Sequence, residues 1–434
     1  MTVSDTARPA KWGGTTAFQN PLLRTILRYG VSTVGPIAVS GAHFIASLIF
    51  LRALPAREFG LFSFVMVVVS FGMSAAGALI VVPITQAIVS GNAATRPICF
   101  KANWLVSVLF AVLLFAALAA SGAPPLQAGV LGIYGAVFAW RWFARNMAYV
   151  DGRVAAAIAS DLCYSLLLIA SLGALFFVGR LSFATGSETM LVAALLALLP
   201  FGRTFFRAQF AALSTARLSD YLPVFRDVSG WALAGVILTE VTVNAHAYLV
   251  TFISGPGAFA LLALGTLLMR PAALVQSALP DLERPAMARA IAAGDFAGLA
   301  RIGRHFTWGL GAAWVGTIAL AAGVLVFFPG LVLKKGYDLH DVWTVAVISS
   351  FIVAIRALRT PPAVLMQAAG AFKEMVGIGI WSGLVAVVAT LALLLAFGPI
   401  ASLGGIVAGE LIILIWIRRM AQSWRIRQEA GAHA

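Results

Sequence analysis

Charge is scarce in this chain. Asp, Glu, Lys and Arg make up 11% of its 434 residues, against roughly a quarter in an ordinary soluble domain. That scarcity excludes a water-soluble globular body, because a soluble surface of this size cannot be built from so few charges. Cysteine is scarcer still: Cys99 and Cys163 are the only two. Both fall at or within apolar runs with no spaced ligand pattern, which excludes a disulfide framework or a cysteine metal site. No short apolar core followed by a small-residue cleavage site stands near the start, where Met1 to Phe18 is polar and carries Arg8 and Lys11, so no removable signal peptide is expected. Long polar stretches are also missing, which leaves no room for a sizeable soluble domain.

What is present is hydrophobic sequence, 61% of the chain, with a mean hydropathy of +0.96. Apolar runs long enough to cross a hydrocarbon core about 30 Å thick recur along it. The runs are 30–51, 60–88, 99–120, 127–148, 154–178, 188–210, 228–252, 257–280, 304–328, 341–362, 374–398 and 401–420. They define an all-α polytopic membrane protein of about twelve transmembrane helices.

The net charge of +14 raises nucleic acid as a partner, but that requires a soluble basic face and none exists. The bases lie in short connections between the runs, where an excess of Lys and Arg marks the cytoplasmic side. With the N-terminus inside, the inner loops and helix ends hold 25 of the 30 basic residues. Only Arg52, Arg57, Arg180, Lys334 and Lys335 fall outside. An odd number of helices would scramble that split, so both termini are expected in the cytoplasm.

Two basic inner connections, 211–227 and 281–303, are longer than the rest, and the first divides the chain six helices to six. The expected organisation is a cytoplasmic segment 1–29, an N-lobe 30–210, a linker 211–227, a C-lobe 228–420 and a cytoplasmic tail 421–434. A duplicated six-helix unit makes the two halves echo each other. The first span ends in Leu51-Arg-Ala-Leu-Pro-Ala-Arg-Glu-Phe-Gly-Leu-Phe62 and the seventh in Phe252-Ile-Ser-Gly-Pro-Gly-Ala-Phe259. Each is an apolar run, a proline-centred turn and a new helix. Before the first span, Pro21 with Leu22, Leu23, Ile26 and Leu27 reads either as a short helix on the membrane surface or as an extension of that span.

Ionisable groups inside the spans are costly and usually face a cavity or a partner. The seventh span carries Glu240 near its middle and Asn244 one turn later on the same face. A carboxylate there suits uptake of a proton or a cation. The alternative is a purely structural bond to another helix, the role also expected of His246. In the eighth span Arg270 directly precedes Pro271. It either snorkels inward or meets phosphate from a cavity, a group that guanidinium matches bidentately. Arg141 with Arg145, and Arg356 with Arg359, form one-turn pairs that suit topological anchoring or capture of an anionic headgroup. Asp161 and Glu410 are the other intramembrane acids, each able to pair with an arginine. Pro83, with Thr85 and Gln86 beside it, and Pro271 are positions where helices can bend.

The segment Phe50-Leu-Arg-Ala-Leu-Pro-Ala-Arg-Glu-Phe-Gly-Leu-Phe-Ser63 resembles the junction of helices 1 and 2 in the polysaccharide transporter family. That is the O-antigen and exopolysaccharide flippase family of the multidrug/oligosaccharidyl-lipid/polysaccharide (MOP) exporter superfamily. Its pattern "Leu-x-Arg-x-Leu-x-x-x-Glu-[Phe/Tyr]-Gly" is supplied, with slightly different spacing, by Leu51, Arg52, Leu54, Glu58, Phe59 and Gly60. Gly152-Arg153 with Asp161, and Gly294-Asp295-Phe296, extend the likeness over essentially the whole chain. These are turn signatures without a catalytic motif. The physical expectation is that Gly60 permits a tight turn, Glu58 faces the next helix N-terminus and Arg52 snorkels to headgroups.

The resemblance implies two six-helix lobes around a central cavity, alternating access, a bacterial inner-membrane location, and no enzymatic activity, cofactor or metal. Its expected cargo is a polyprenyl-diphosphate-linked oligosaccharide, with membrane lipids, a polysaccharide polymerase and a co-polymerase as partners. H+ and Na+ both remain open as coupling ion. An exporter of small cationic drugs, from the same superfamily, would gather acids and aromatics without the intramembrane arginines. A membrane polymerase, glycosyltransferase or acyltransferase would need a larger outer loop or a better-served histidine than His246 beside Asn244.

Overall fold

The computed structural model describes residues 21–89, 95–332 and 337–432. Among these there is no strand. We number twelve helices in chain order. α1 spans Pro21–Ala53, and α2 runs Ala56–Ala76 and continues through a π-turn, Gly77–Val81, into Val82–Val89. α3 is Thr95–Ala120, α4 Pro125–Val150 and α5 Val154–Phe177. α6 is Phe183–Leu196, extended by Gly202–Thr215, and α7 is Gly230–Ile253. α8 is broken into Pro256–Leu268 and Arg270–Ala292. α9 is Phe296–Phe327, α10 Leu339–Ala368, α11 Phe372–Phe397 and α12 Leu403–Ala432.

Each expected span falls on one of these helices. Nine helices among the described residues are long and apolar enough to cross a membrane, and the two segments of α8, bent by 59°, make a tenth. The remaining two, α4 and α12, are long enough but carry buried charges: Arg141 and Arg145 on one, Glu410 on the other. Each of these two helices holds part of an ion-pair cluster described below. Of the two readings of Pro21 onward, the extension holds: α1 is continuous from Pro21.

α1, α3, α4, α5 and α6 pack with one another in the first half, and α8 to α12 in the second. Apolar burial gives little advantage in lipid, so close approach of small residues carries such contacts. Gly405 and Gly409, four apart on α12, face Thr390 and Ala386 of α11. A methyl at Gly409 would lie 2.8 Å from the Ala386 Cβ.

The lobes meet through α2, which packs along α7 and the first segment of α8. One apolar core runs through the first lobe and into the arginine-poor end of the second, taking in Val250, Phe259, Leu325, Val342 and Leu403. The arginine-rich end of the second lobe has its own core, around Leu299, Phe306, Leu365 and Ile417. The lobes are thus fused at one end and separately packed at the other.

Proline placement explains two irregularities. Pro83 has no N–H to give the carbonyl of Leu79 four residues earlier. That carbonyl lies inside the π-turn and instead accepts from the hydroxyls of Tyr221, at 2.5 Å, and Ser229, at 3.0 Å. The connection between the lobes is thereby tied to the bend in α2. Pro271 likewise sits at the start of the second segment of α8, just after the break at Met269.

Candidate functional site

In the first lobe, Arg141 and Arg145 lie one turn apart on α4 and converge on Asp161 of α5. Arg141 Nη1 to Oδ1 and Arg145 Nε to Oδ2 are both 2.8 Å. The side chains are 4%, 9% and 1% exposed, so neither arginine snorkels. Arg141 also donates to the Ser160 hydroxyl at 3.2 Å and lies 4.7 Å from the Tyr164 ring. The Tyr164 hydroxyl is 2.9 Å from both His43 Nε2 and the Tyr134 hydroxyl. Gly35 of α1 lies against the Asp161 carboxylate so closely that any side chain there would collide with it.

The second lobe repeats the arrangement. Arg356 and Arg359 of α10 converge on Glu410 of α12, with Nε to Oε1 at 2.7 Å and Nε to Oε2 at 2.6 Å. The Arg359 Nε contact is an ion pair without hydrogen-bond geometry, while Arg359 Nη2 donates to Oε1 at 3.5 Å. Glu410 is fully buried, yet its arginines are 25% and 24% exposed. In both lobes the fourth helix supplies two guanidiniums to one acid, leaving one excess positive charge. The difference is access: the first cluster is sealed and the second is partly open.

Arg270 stands at the break in α8, half-buried and without a carboxylate partner among the described residues. Its charge, with that of Arg141, reaches the His43 imidazole of α1, which sets it near the sealed cluster of the first lobe.

Glu240 forms a separate station. Its carboxylate accepts from Asn244 Nδ2 at 3.0 Å and from the Tyr248 hydroxyl at 2.7 Å. Tyr248 in turn meets the Phe64 ring of α2 edge-on, with centroids 5.7 Å apart. The alternative reading, a bond of Glu240 to another helix, is not met among the described residues; its partners lie on its own helix, in a half-buried stripe along the lobe seam.

The echoing turns touch. Gly60 lies against the backbone carbonyl of Pro256, and the Cβ position of Gly257 is 3.9 Å from Arg57 Cα. Phe64 packs on Phe252 as well, at 5.6 Å. Two expectations for this junction are corrected. Gly60 is helical, not a turn residue, and its lack of a side chain serves close approach to α8. Glu58 lies in the first turn of α2, where its carboxylate stands at the helix N-terminus as expected. Arg52 bonds the carbonyl of Gly330 at 3.1 Å instead of reaching headgroups. The Gly294-Asp295-Phe296 turn behaves as expected: Gly294 has φ +65° and Asp295 caps α9 by accepting from Gly298 N at 2.7 Å.

Sequence reasoning did not reach His43, Tyr134, Tyr164 or Tyr248. Each is a lone polar side chain in an apolar run, and only the eight-residue spacing of Tyr248 from Glu240 places a pair on one helix face.

This fold defines a class: a two-lobed, twelve-helix membrane protein with an ion-pair cluster in each lobe. No protein-family model matches the chain, and no curated protein sequence matches it. Solved structures do. The inward-facing conformation of a multidrug resistance MATE family transporter of the MOP superfamily superposes with a TM-score of 0.64 at 12% identity, covering 91% of this chain and 99% of that one. The lipid II flippase MurJ, in an inward closed conformation, gives 0.60 at 11% identity, over 92% and 87%. An outward-facing MATE transporter gives 0.57 at 13%, over 95% and 97%. The chain therefore has the fold shared by MOP-superfamily transporters, and these similar structures are transporters and a flippase rather than enzymes.

Proposed function

We propose that the protein translocates a phosphate-bearing, lipid-linked oligosaccharide across the bacterial inner membrane by alternating access, with both termini in the cytoplasm and lobes bounded near 30–210 and 228–420. The observation that carries this reading is Arg270. A half-buried guanidinium at membrane depth without a counter-acid is costly unless an anion visits it. The partly exposed Arg356 and Arg359, carrying one positive charge beyond what Glu410 neutralises, supply a second anion contact on α10 of the same lobe. Guanidinium geometry suits diphosphate.

In this reading the cargo enters from the arginine-rich end, where the lobes are separately packed, and the fused end is the closed outer gate. Glu240, held between Asn244 and Tyr248, is the station for a coupling H+ or Na+. A polymerase and co-polymerase would receive the exported unit.

The test is glycan export in cells depleted of the wild-type protein. Glu240→Gln and Arg270→Ala are each expected to lower it strongly at normal protein abundance. Export at wild-type levels from both variants would remove these residues from the site. A second reading has its own observation: Glu240 with Tyr248, Phe64 and Phe252 joins an acid to aromatic rings, the surroundings a lipophilic cation prefers. Efflux of a cationic dye that depends on Glu240 but not on Arg270 would favour it.

A further inference from the structure

A cavity of about 1010 Å³ lies within the second lobe at its arginine-rich end, away from the seam between the lobes. Leu299 of α9, Leu358 and Leu365 of α10 and Ala421 of α12 wall it with apolar surface. Arg304, in the first third of α9, and Arg418 and Arg425, in the second half of α12, also line it. None of these arginines has a carboxylate partner among the described residues. Glu410, the acid nearest to Arg418 along α12, is already occupied by Arg356 and Arg359. Trp308, also on the lining, is 76% exposed and lies one turn beyond Arg304 on α9. Exposed tryptophan beside basic residues near the end of a span is typical of a membrane interface.

We infer that this cavity seats an anionic glycerophospholipid of the adjoining leaflet, its phosphate on the three arginines and an acyl chain against the leucine wall. The chemistry selects that occupant. Three guanidiniums without a carboxylate partner among the described residues attract phosphate, and basic pockets between transmembrane helices recruit anionic headgroups. A free phosphate would leave the apolar wall unused. A neutral lipid would leave the charges unmatched. The site is separate from Arg270 and Glu240, and it stands or falls independently of the transport reading.

The experiment uses the purified full-length protein in mixed micelles, titrated with brominated phosphatidylglycerol while tryptophan fluorescence is followed. A quenched component is expected that Trp308→Phe lacks. Half-quenching should need about tenfold less brominated phosphatidylglycerol than brominated phosphatidylcholine. Replacing Arg304, Arg418 and Arg425 with Gln should abolish that preference. Leu358→Phe, which keeps the charges and fills the wall, should weaken quenching by both lipids. Millimolar inorganic phosphate should leave the signal in place. Equal quenching by the two lipids, an unchanged preference in the triple variant, or displacement by inorganic phosphate would each overturn the inference.

Discussion

Gly60 of α2 meets the backbone carbonyl of Pro256, the first residue of α8, with no space for a side chain between them. The two proline-centred turns that echo each other along the sequence thus close on one another at the arginine-poor end. Any side chain at position 60 must push the helices apart.

Gly60→Val is therefore expected to open that end. Phe64, fully buried one turn further along α2, supplies the reporter. With Cys introduced at position 64, labelling by a membrane-impermeant maleimide should be slow while Gly60 is kept. It should be faster by roughly tenfold or more in the Gly60→Val background, since each 1.4 kcal/mol of destabilisation changes the open population tenfold. Unchanged labelling would show that this contact does not hold the gate.

Asp161→Asn leaves Arg141 and Arg145 buried with no counter-charge. Breaking a buried ion pair by removing one partner costs about 3–5 kcal/mol, so a large fall in thermal stability in detergent is expected. Glu410→Gln should cost less, because its arginines are a quarter exposed and retain access to solvent or headgroups. Equal losses would contradict the difference between a sealed and an open cluster. Adding Arg145→Met to Asp161→Asn should recover part of the stability, because one of the two stranded charges is gone.

Pro83→Ala restores an N–H that competes for the Leu79 carbonyl, now taken by Tyr221 and Ser229. Limited trypsin digestion of the native protein should then cut faster in the linker, after Arg217 or Arg226. Tyr221→Phe removes one hydrogen bond, worth about 1 kcal/mol, and should shift cleavage in the same direction by a smaller amount. A cleavage rate that ignores both changes would show that the bend in α2 does not anchor the linker.

The twelve spans are legible because each is an apolar run bounded by charge, and a bilayer makes that pattern nearly obligatory. The intramembrane acids and arginines are legible too, as expensive residues in the wrong solvent. Their partners are not. Asp161 meets arginines 16 and 20 residues back on the preceding helix, and Glu410 meets arginines 51 and 54 back. Neither spacing is a helical period, and both depend on how the helices pack. Gly60 reads as a turn from its neighbours Pro55 and Glu58, yet its function lies in a residue nearly two hundred positions away. Leu79 is beyond any pattern: its role follows from a carbonyl that Pro83, four residues later, leaves without a donor.

Translocation in proteoliposomes tests the central claim most directly. The substrate is a fluorescent polyprenyl-diphosphate-linked sugar, read by dithionite quenching and compared with a neutral polyprenyl glycoside and a cationic dye. The expected result is movement of the diphosphate-linked sugar alone, reduced tenfold or more by Arg270→Ala, since a charge-assisted contact is worth about 1.5–3 kcal/mol. Movement of the cationic dye but not of the diphosphate lipid, or indifference to Arg270, would contradict it.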